Sequence, residues 1–143
     1  MNVVSAWYQV SEQKGELIRS STDAYRLLEP LFNPLQEEFY VLPMVGQECV
    51  AHRLFIGGVC ASNVDLKSLF RFLLNNYPNA TSFLIAHNHP SGCNDPSDND
   101  LAITKSIKEA ALLLGYQFLD HLVFSNKGYY SFADSNQLTL NGI

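Results

Sequence analysis

His87 and His89 are the residues that bring chemistry to this sequence. They stand one residue apart at the end of an apolar run, within FLIAHNHPSGCNDPSDND at residues 83–100, and are two of the chain's four histidines. Alternate residues of a strand point the same way, so an H-x-H pair at a strand end aims two imidazoles at one point. Two imidazoles, a third nitrogen or oxygen donor and a fourth position open to water make a catalytic zinc site. Asp100 is the expected third ligand, in the first turn of the helix that follows the loop. Asp95 and Asp98 have the same chemistry, and Cys93 offers a softer thiolate that also suits zinc. The same residues also read without a metal. An H-x-H pair is common in loops, and Ser97-x-x-Asp100 matches a helix capping box. Spacing alone leaves both readings open.

The neighbouring elements must hold these residues in place. Thr81 to His87 is almost wholly apolar and predicts a strand in the sheet interior. A helix is expected from about Asp98 to Leu114, with Ile103, Ile107, Ala110 and Leu114 on its buried stripe and Gly115 as its stop. Phe118 to Phe124 reads as a strand, Ser125 to Gly128 as a hairpin turn, and Tyr129 to Phe132 as its return. Upstream, Val3 to Val10 suggests a short strand and Gly15 a turn. Ser20 to Asp23 starts a helix carrying Ala24, Leu27, Leu28 and Leu31, which Pro30 limits. Glu37 to Val45 and Glu48 to Ile56 form an expected antiparallel hairpin around Gly46-Gln47, ended by Gly57-Gly58. Asp65 caps a helix with Leu66, Leu69, Phe70, Leu73 and Leu74 on one face, stopped by Asn75-Asn76 and Pro78. The last ten residues read as polar and loose. The sum is a single α/β domain over residues 1–143, with a mixed, mostly hairpin-connected sheet and helices on its faces.

Composition narrows the function classes. At 143 residues, 47% hydrophobic and 12% aromatic, the chain is long enough for one real core. No apolar run is long enough to cross a bilayer, and no signal peptide is visible, so a cytoplasmic location and no membrane partner are expected. Cys49, Cys60 and Cys93 form no CxxC pairing and no disulfide framework. A net charge of −5 and a pI near 5.2 argue against a broad nucleic-acid-binding surface. Oligomeric state is not legible.

The run His87-x-His89, seven residues, Ser97, two residues, Asp100 matches all four positions of the H-x-H-x7-S-x2-D signature of JAMM-type (JAB/MPN) metalloenzymes. The words AHNHPSG, LAITKSIKEAALLLG, LDHL and GYYSFAD further resemble the RadC-like branch, named for the DNA repair protein RadC, over roughly residues 20 to 134. This resemblance implies a twisted mixed sheet flanked by helices, cytidine-deaminase-like in shape. It implies that His87, His89 and Asp100 hold Zn2+ and that Ser97 steadies the oxyanion or the water while capping its helix. The family pattern E-x-F-x-V-L assigns the general base to Glu37; Glu38 is the alternative, which alternation would turn to the opposite face of the strand. The implied reaction is hydrolysis of a peptide or isopeptide-like amide in a peptide or protein substrate, without a covalent enzyme intermediate. The family name brings nucleic acid in as a possible partner, which the charge does not support. Full-length RadC-like proteins carry an N-terminal helix-hairpin-helix module for which this chain is expected to have no room. His121 in LDHL matches a RadC-like stretch and reads equally as a residue behind the metal ligands or as a packed strand histidine. His52 reads as a structural or exposed residue and Cys93 as a passive loop residue.

Overall fold

The computed structural model describes residues 8–10, 15–33, 35–54, 65–89, 92 and 95–138, with the backbone alone for 8–10. The segment around Gly57-Gly58, and Cys60 and Cys93, lie outside the described residues. So do Val3 to Trp7 and the last five residues of the chain.

The centre of the molecule is β3 (Phe39–Val45) against β6 (Ser82–Asn88), paired antiparallel with Phe39 opposite His87 and Met44 opposite Ser82. Every residue of β6 is buried, as its apolar sequence predicts. β7 (Gln117–Ser125) runs parallel to β6, and the connection between them is α3 (Asp98–Leu114). A tight turn at Asn126-Lys127 returns the chain as β8 (Gly128–Ser131), antiparallel to β7. On the other side of β3 lie β5 (His52–Leu54) and then β1 (Tyr8–Val10). β4 (Glu48–Cys49) pairs the end of β3 and also β2 (Glu16–Leu17), a strand the sequence does not announce.

The expected single strand Glu48–Ile56 is broken into β4 and β5, although both pieces keep one register against β3. That register brings the gap opposite Pro43, which has no N–H to give to a ladder. Ile56 lies outside the described residues.

Alternation along the strands divides the core in two. Phe39, Val41, Phe83, Ile85 and Val123 face α3 and α2 (Leu66–Asn76), meeting Leu69, Phe72, Leu73, Ile107 and Ala111. Tyr40, Leu42, Leu84, Ala86, Leu122 and Phe124 face α1 (Ser21–Leu28), meeting Ala24 and Leu28. Each fully buried side chain of this kind contributes about 1.5–3 kcal/mol of transfer free energy. The helix starts follow the expected caps: Ser20 accepts from the Asp23 N–H and Asp65 from the Lys67 N–H. α1 gives way to a 3-10 turn at Glu29–Leu31 that contains Pro30. Gly115, at φ 84°, ends α3 in a left-handed conformation that its missing side chain allows.

The buried stripe of α3 differs from expectation. Asp100, Thr104, Ile107 and Ala111 are buried, while Leu114 is exposed and Ile103 and Ala110 only border the core. On α2, Phe72 is buried where Leu74 was expected. Of the last ten residues only 134–138 are described; there Leu138 packs into the core, and its carbonyl accepts from Lys108 Nζ at 2.8 Å.

Candidate metal centre

His87 sits in β6 on the face turned to α3, in line with Phe83 and Ile85, and His89 follows with the same parity just past the strand end. The His89 N–H donates to the Phe124 carbonyl at 2.7 Å, so β7 fixes the backbone that carries the second imidazole. Asp100 comes from the first turn of α3, laid across the same face. Its side chain is held from behind: Asp100 Oδ2 accepts from the Ser97 N–H at 2.9 Å, and the Asp100 N–H donates to Ser97 Oγ at 3.0 Å. The capping box is therefore real, and it orients the carboxylate toward the histidines. The two readings of Ser97-x-x-Asp100 are not alternatives.

Three donor groups converge. His87 Nε2 and His89 Nε2 are 3.0 Å apart, His87 Nε2 lies 3.2 Å from Asp100 Oδ1, and His89 Nε2 lies 3.3 Å from Asp100 Oδ2. Ligands bonded at about 2.0–2.1 Å to one tetrahedral ion stand about 3.3 Å from one another. The two imidazole nitrogens, and each of them with one oxygen of the Asp100 carboxylate, therefore stand at the spacing of donors around a single small cation. Asp98 is exposed at the first position of α3 and Asp95 is exposed ahead of it; the imidazole contacts run to Asp100.

Glu37, just ahead of β3, completes a second triangle: a carboxylate oxygen and one ring nitrogen each of His87 and His89 lie within 4.8 Å of one another. Its neighbour Glu38 points away and is buried, paired with Arg53 Nε at 3.0 Å and accepting from the Asn33 N–H at 2.8 Å. Asn88, between the two histidines, ties this segment to β6. Its Oδ1 accepts from the Glu38 N–H at 2.6 Å, and its Nδ2 donates to the Asn33 and Gln36 carbonyls. Strand alternation thus gives adjacent residues opposite tasks: Glu37 and His87 face the centre, while Glu38 and Asn88 lock the loop that presents them.

Electrostatics follow from burial and partners. Burial alone would push the Asp100 carboxyl up. Hydrogen bonding and charge from His87, together with the two Ser97 bonds, outweigh it and hold the group well below the usual carboxylate range. Complete enclosure, with the charge of His87 beside it, drives the His121 imidazole far below its ordinary value. Asp120 is pushed up to about 6 by burial, although it accepts from Ser131 Oγ and from the N–H groups of Ala133 and His121. His52 lies elsewhere on the same sheet face, hydrogen-bonded to Tyr77 Oη, and burial pushes it down to about 4.

Residues 18–138 match the family model of the RadC-like JAB domain. The chain belongs to this family. It is 40% identical over 124 residues to a UPF0758 protein of Flavobacterium johnsoniae, covering 85% of this chain and 53% of that one. Similar proteins of the same designation occur in Porphyromonas gingivalis, at 36% identity over 129 residues, and Streptococcus uberis, at 34% over 130. These alignments cover 87% and 90% of this chain and 56% and 57% of the relatives. The chain thus spans little more than half the length of the curated relatives it matches. The curled mixed sheet flanked by helices agrees with the expected JAMM-type fold. Among the described residues, no helix is long and apolar enough to cross a membrane.

Two contributors to this RadC-like JAB domain escaped sequence reasoning. Asn88 has no signal beyond its place between two histidines. Thr104 is fully buried against His121, and its only signal is the i, i+4 spacing from Asp100, which puts both on one helix face. A recess of ≈260 Å³ opens beside His89, lined by Tyr25, Glu29, Phe32, Phe124 and Asn126.

Proposed function

We propose that this domain is a zinc-dependent hydrolase of amide bonds in peptide or isopeptide linkage. The observation that carries the reading is the convergence of His87 Nε2, His89 Nε2 and the Asp100 carboxylate at 3.0–3.3 Å. Two imidazole nitrogens and one carboxylate oxygen are a donor set that suits zinc. When bound, zinc supplies a Lewis acid that polarises an amide carbonyl and lowers the pKa of a water toward neutrality.

The chain's own residues do the rest. Glu37, within reach of both imidazoles, takes a proton from the attacking water and passes it to the leaving amine. Ser97 Oγ accepts from the Asp100 N–H, so its own hydroxyl hydrogen is free of that bond and donates to the developing oxyanion. His89, the more exposed of the two imidazoles, borders the aromatic-lined recess, which receives a substrate side chain flanking the scissile bond.

The test is hydrolysis of peptide and isopeptide-linked substrates by zinc-loaded protein, with Glu37→Gln as control. Turnover that falls about 100- to 10,000-fold in the variant, with zinc retained, supports the reading. Zinc bound stoichiometrically without turnover on any substrate would instead leave a non-catalytic metal scaffold.

A further inference from the structure

Behind the metal ligands runs a buried chain of hydrogen bonds that neither the signature motif nor the proposed reaction accounts for. Thr104 Oγ1 is 2.6 Å from the Asp100 carbonyl oxygen and 2.6 Å from His121 Nδ1; His121 Nε2 is 2.8 Å from His87 Nδ1. A count of hydrogens orients the whole chain. Two oxygens do not approach to 2.6 Å without a hydrogen between them, and a carbonyl has none to give. The single hydroxyl hydrogen of Thr104 therefore points to Asp100. Thr104 Oγ1 must then accept from His121, which makes Nδ1 the protonated nitrogen of that ring. A neutral imidazole carries one N–H, so His121 Nε2 accepts, and the hydrogen in the next bond belongs to His87 Nδ1. In its neutral form His87 then has its one hydrogen on Nδ1, which leaves a lone pair on Nε2, the atom that faces His89 and Asp100.

We infer that Thr104 and His121 are positioning residues whose hydrogen-bond relay holds His87 in the tautomer that presents Nε2 as a metal donor. The inference rests on the metal reading of His87, His89 and Asp100. Backbone features support it. The pairing of β6 with β7 skips Leu119, a β-bulge between Phe118, opposite Phe83, and Asp120, opposite Leu84. Strict alternation from Phe118 would turn His121 to the α1 side; the extra residue turns it to the α3 side, beside His87. There its ring stacks on Phe132, with centroids 4.9 Å apart and planes 8° from parallel, while Asp120 holds its backbone N–H at 2.7 Å. The ring plane is thereby fixed independently of the relay. Outer partners of this kind typically change metal affinity 10- to 100-fold when removed.

The test uses Thr104→Val, which keeps the shape and deletes the hydroxyl, and Thr104→Ser, which restores it. The first readout is the nitrogen-15 spectrum of the imidazoles in metal-free protein. The wild type and Thr104→Ser should show His87 and His121 both protonated at Nδ1, and Thr104→Val should show His87 as a mixture of tautomers. The second is zinc affinity by competition with a chromophoric chelator, expected to weaken about 10- to 100-fold in Thr104→Val and to recover in Thr104→Ser. Wild-type His87 protonated at Nε2 in the metal-free protein, or a Thr104→Val protein with unchanged tautomer and zinc affinity, would overturn the relay. Because the first readout needs no metal, a wild type that binds no zinc would sink the proposed function while the relay is still decided by the spectrum.

Discussion

His87 and His52 are equally buried on one face of one sheet, with β3 between their strands, and only 1% of either residue is exposed. The His87 ring meets three other donor or acceptor groups: His89, Asp100 and His121. Around His52 the neighbours are the rings of Phe72 and Tyr77; one nitrogen bonds to the Tyr77 hydroxyl, and Nδ1 finds no hydrogen-bond partner among the described residues. Burial of a histidine therefore says little about function. Convergence of several donor groups on one point is what separates His87 from the packed ring of His52.

The largest effect that would break this contrast is loss of the metal. His87→Ala or Asp100→Ala should take elemental zinc from near one per chain to background, whereas His52→Phe should leave it unchanged. Equal loss in His52→Phe would mean that metal binding merely tracks the integrity of the fold. Adjacent glutamates sharpen the contrast further. Glu37→Gln should leave stability and zinc content close to wild type while removing turnover. Glu38→Gln should do the opposite, weakening the Arg53 and Asn33 contacts and costing about 1–3 kcal/mol in urea unfolding, with zinc still bound. Turnover lost in Glu38→Gln and kept in Glu37→Gln would reverse the assignment of the base.

The two regions also differ in how far a reader of the sequence could see them. His87, His89, Ser97 and Asp100 lie within fourteen residues, and Asp100 is both cap and expected ligand, so local spacing carries the site. The end of α3 was legible for the same reason, since Gly115 marks it. The face of α3 was not. Asp100 and Thr104 occupy its buried stripe because they serve His87 and His121, and polar residues there shift the apolar pattern toward Ile103 and Ala110. The relay was illegible because it crosses from α3 to β7 to β6, and the bulge at Leu119 that turns His121 inward leaves no mark in composition. The break opposite Pro43 was in principle readable, but only once the register of β3 against β4 and β5 was known.

Ser97 tests whether the cap and the site are separable. Ser97→Ala removes the bond from the Asp100 N–H and should cost about 0.5–2 kcal/mol of stability, since that is the range for losing a serine cap. Ser97→Asp restores an acceptor for the helix but offers no hydroxyl hydrogen. If the hydroxyl serves the reaction, the aspartate variant should recover stability in urea unfolding and not turnover. Recovery of both would confine Ser97 to capping.

The pH dependence belongs to His52, and its sign can be worked out. Its pKa falls from the ordinary 6.5 to about 4 in the folded protein because burial penalises the charged ring. Between pH 6.5 and 4 the unfolded chain therefore binds a proton that the folded chain refuses, and this contribution to stability is lost as the pH falls through that window. Asp120 works in the opposite sense. Its pKa rises from 3.8 to about 6, so its contribution is fully present below pH 3.8 and lost as the pH rises through 6. The two windows overlap, and the wild-type profile alone will look shallow. Subtraction isolates the histidine: metal-free His52→Phe, compared with metal-free wild type in urea at each pH, should gain relative stability on going from pH 6.5 to 4, and the difference should level off beyond either end. A flat difference would mean that His52 takes up a proton in the folded state as readily as in the unfolded one. Its enclosure by Phe72 and Tyr77 would then have to admit water, and His52 would lose its standing as the inert counterpart of His87.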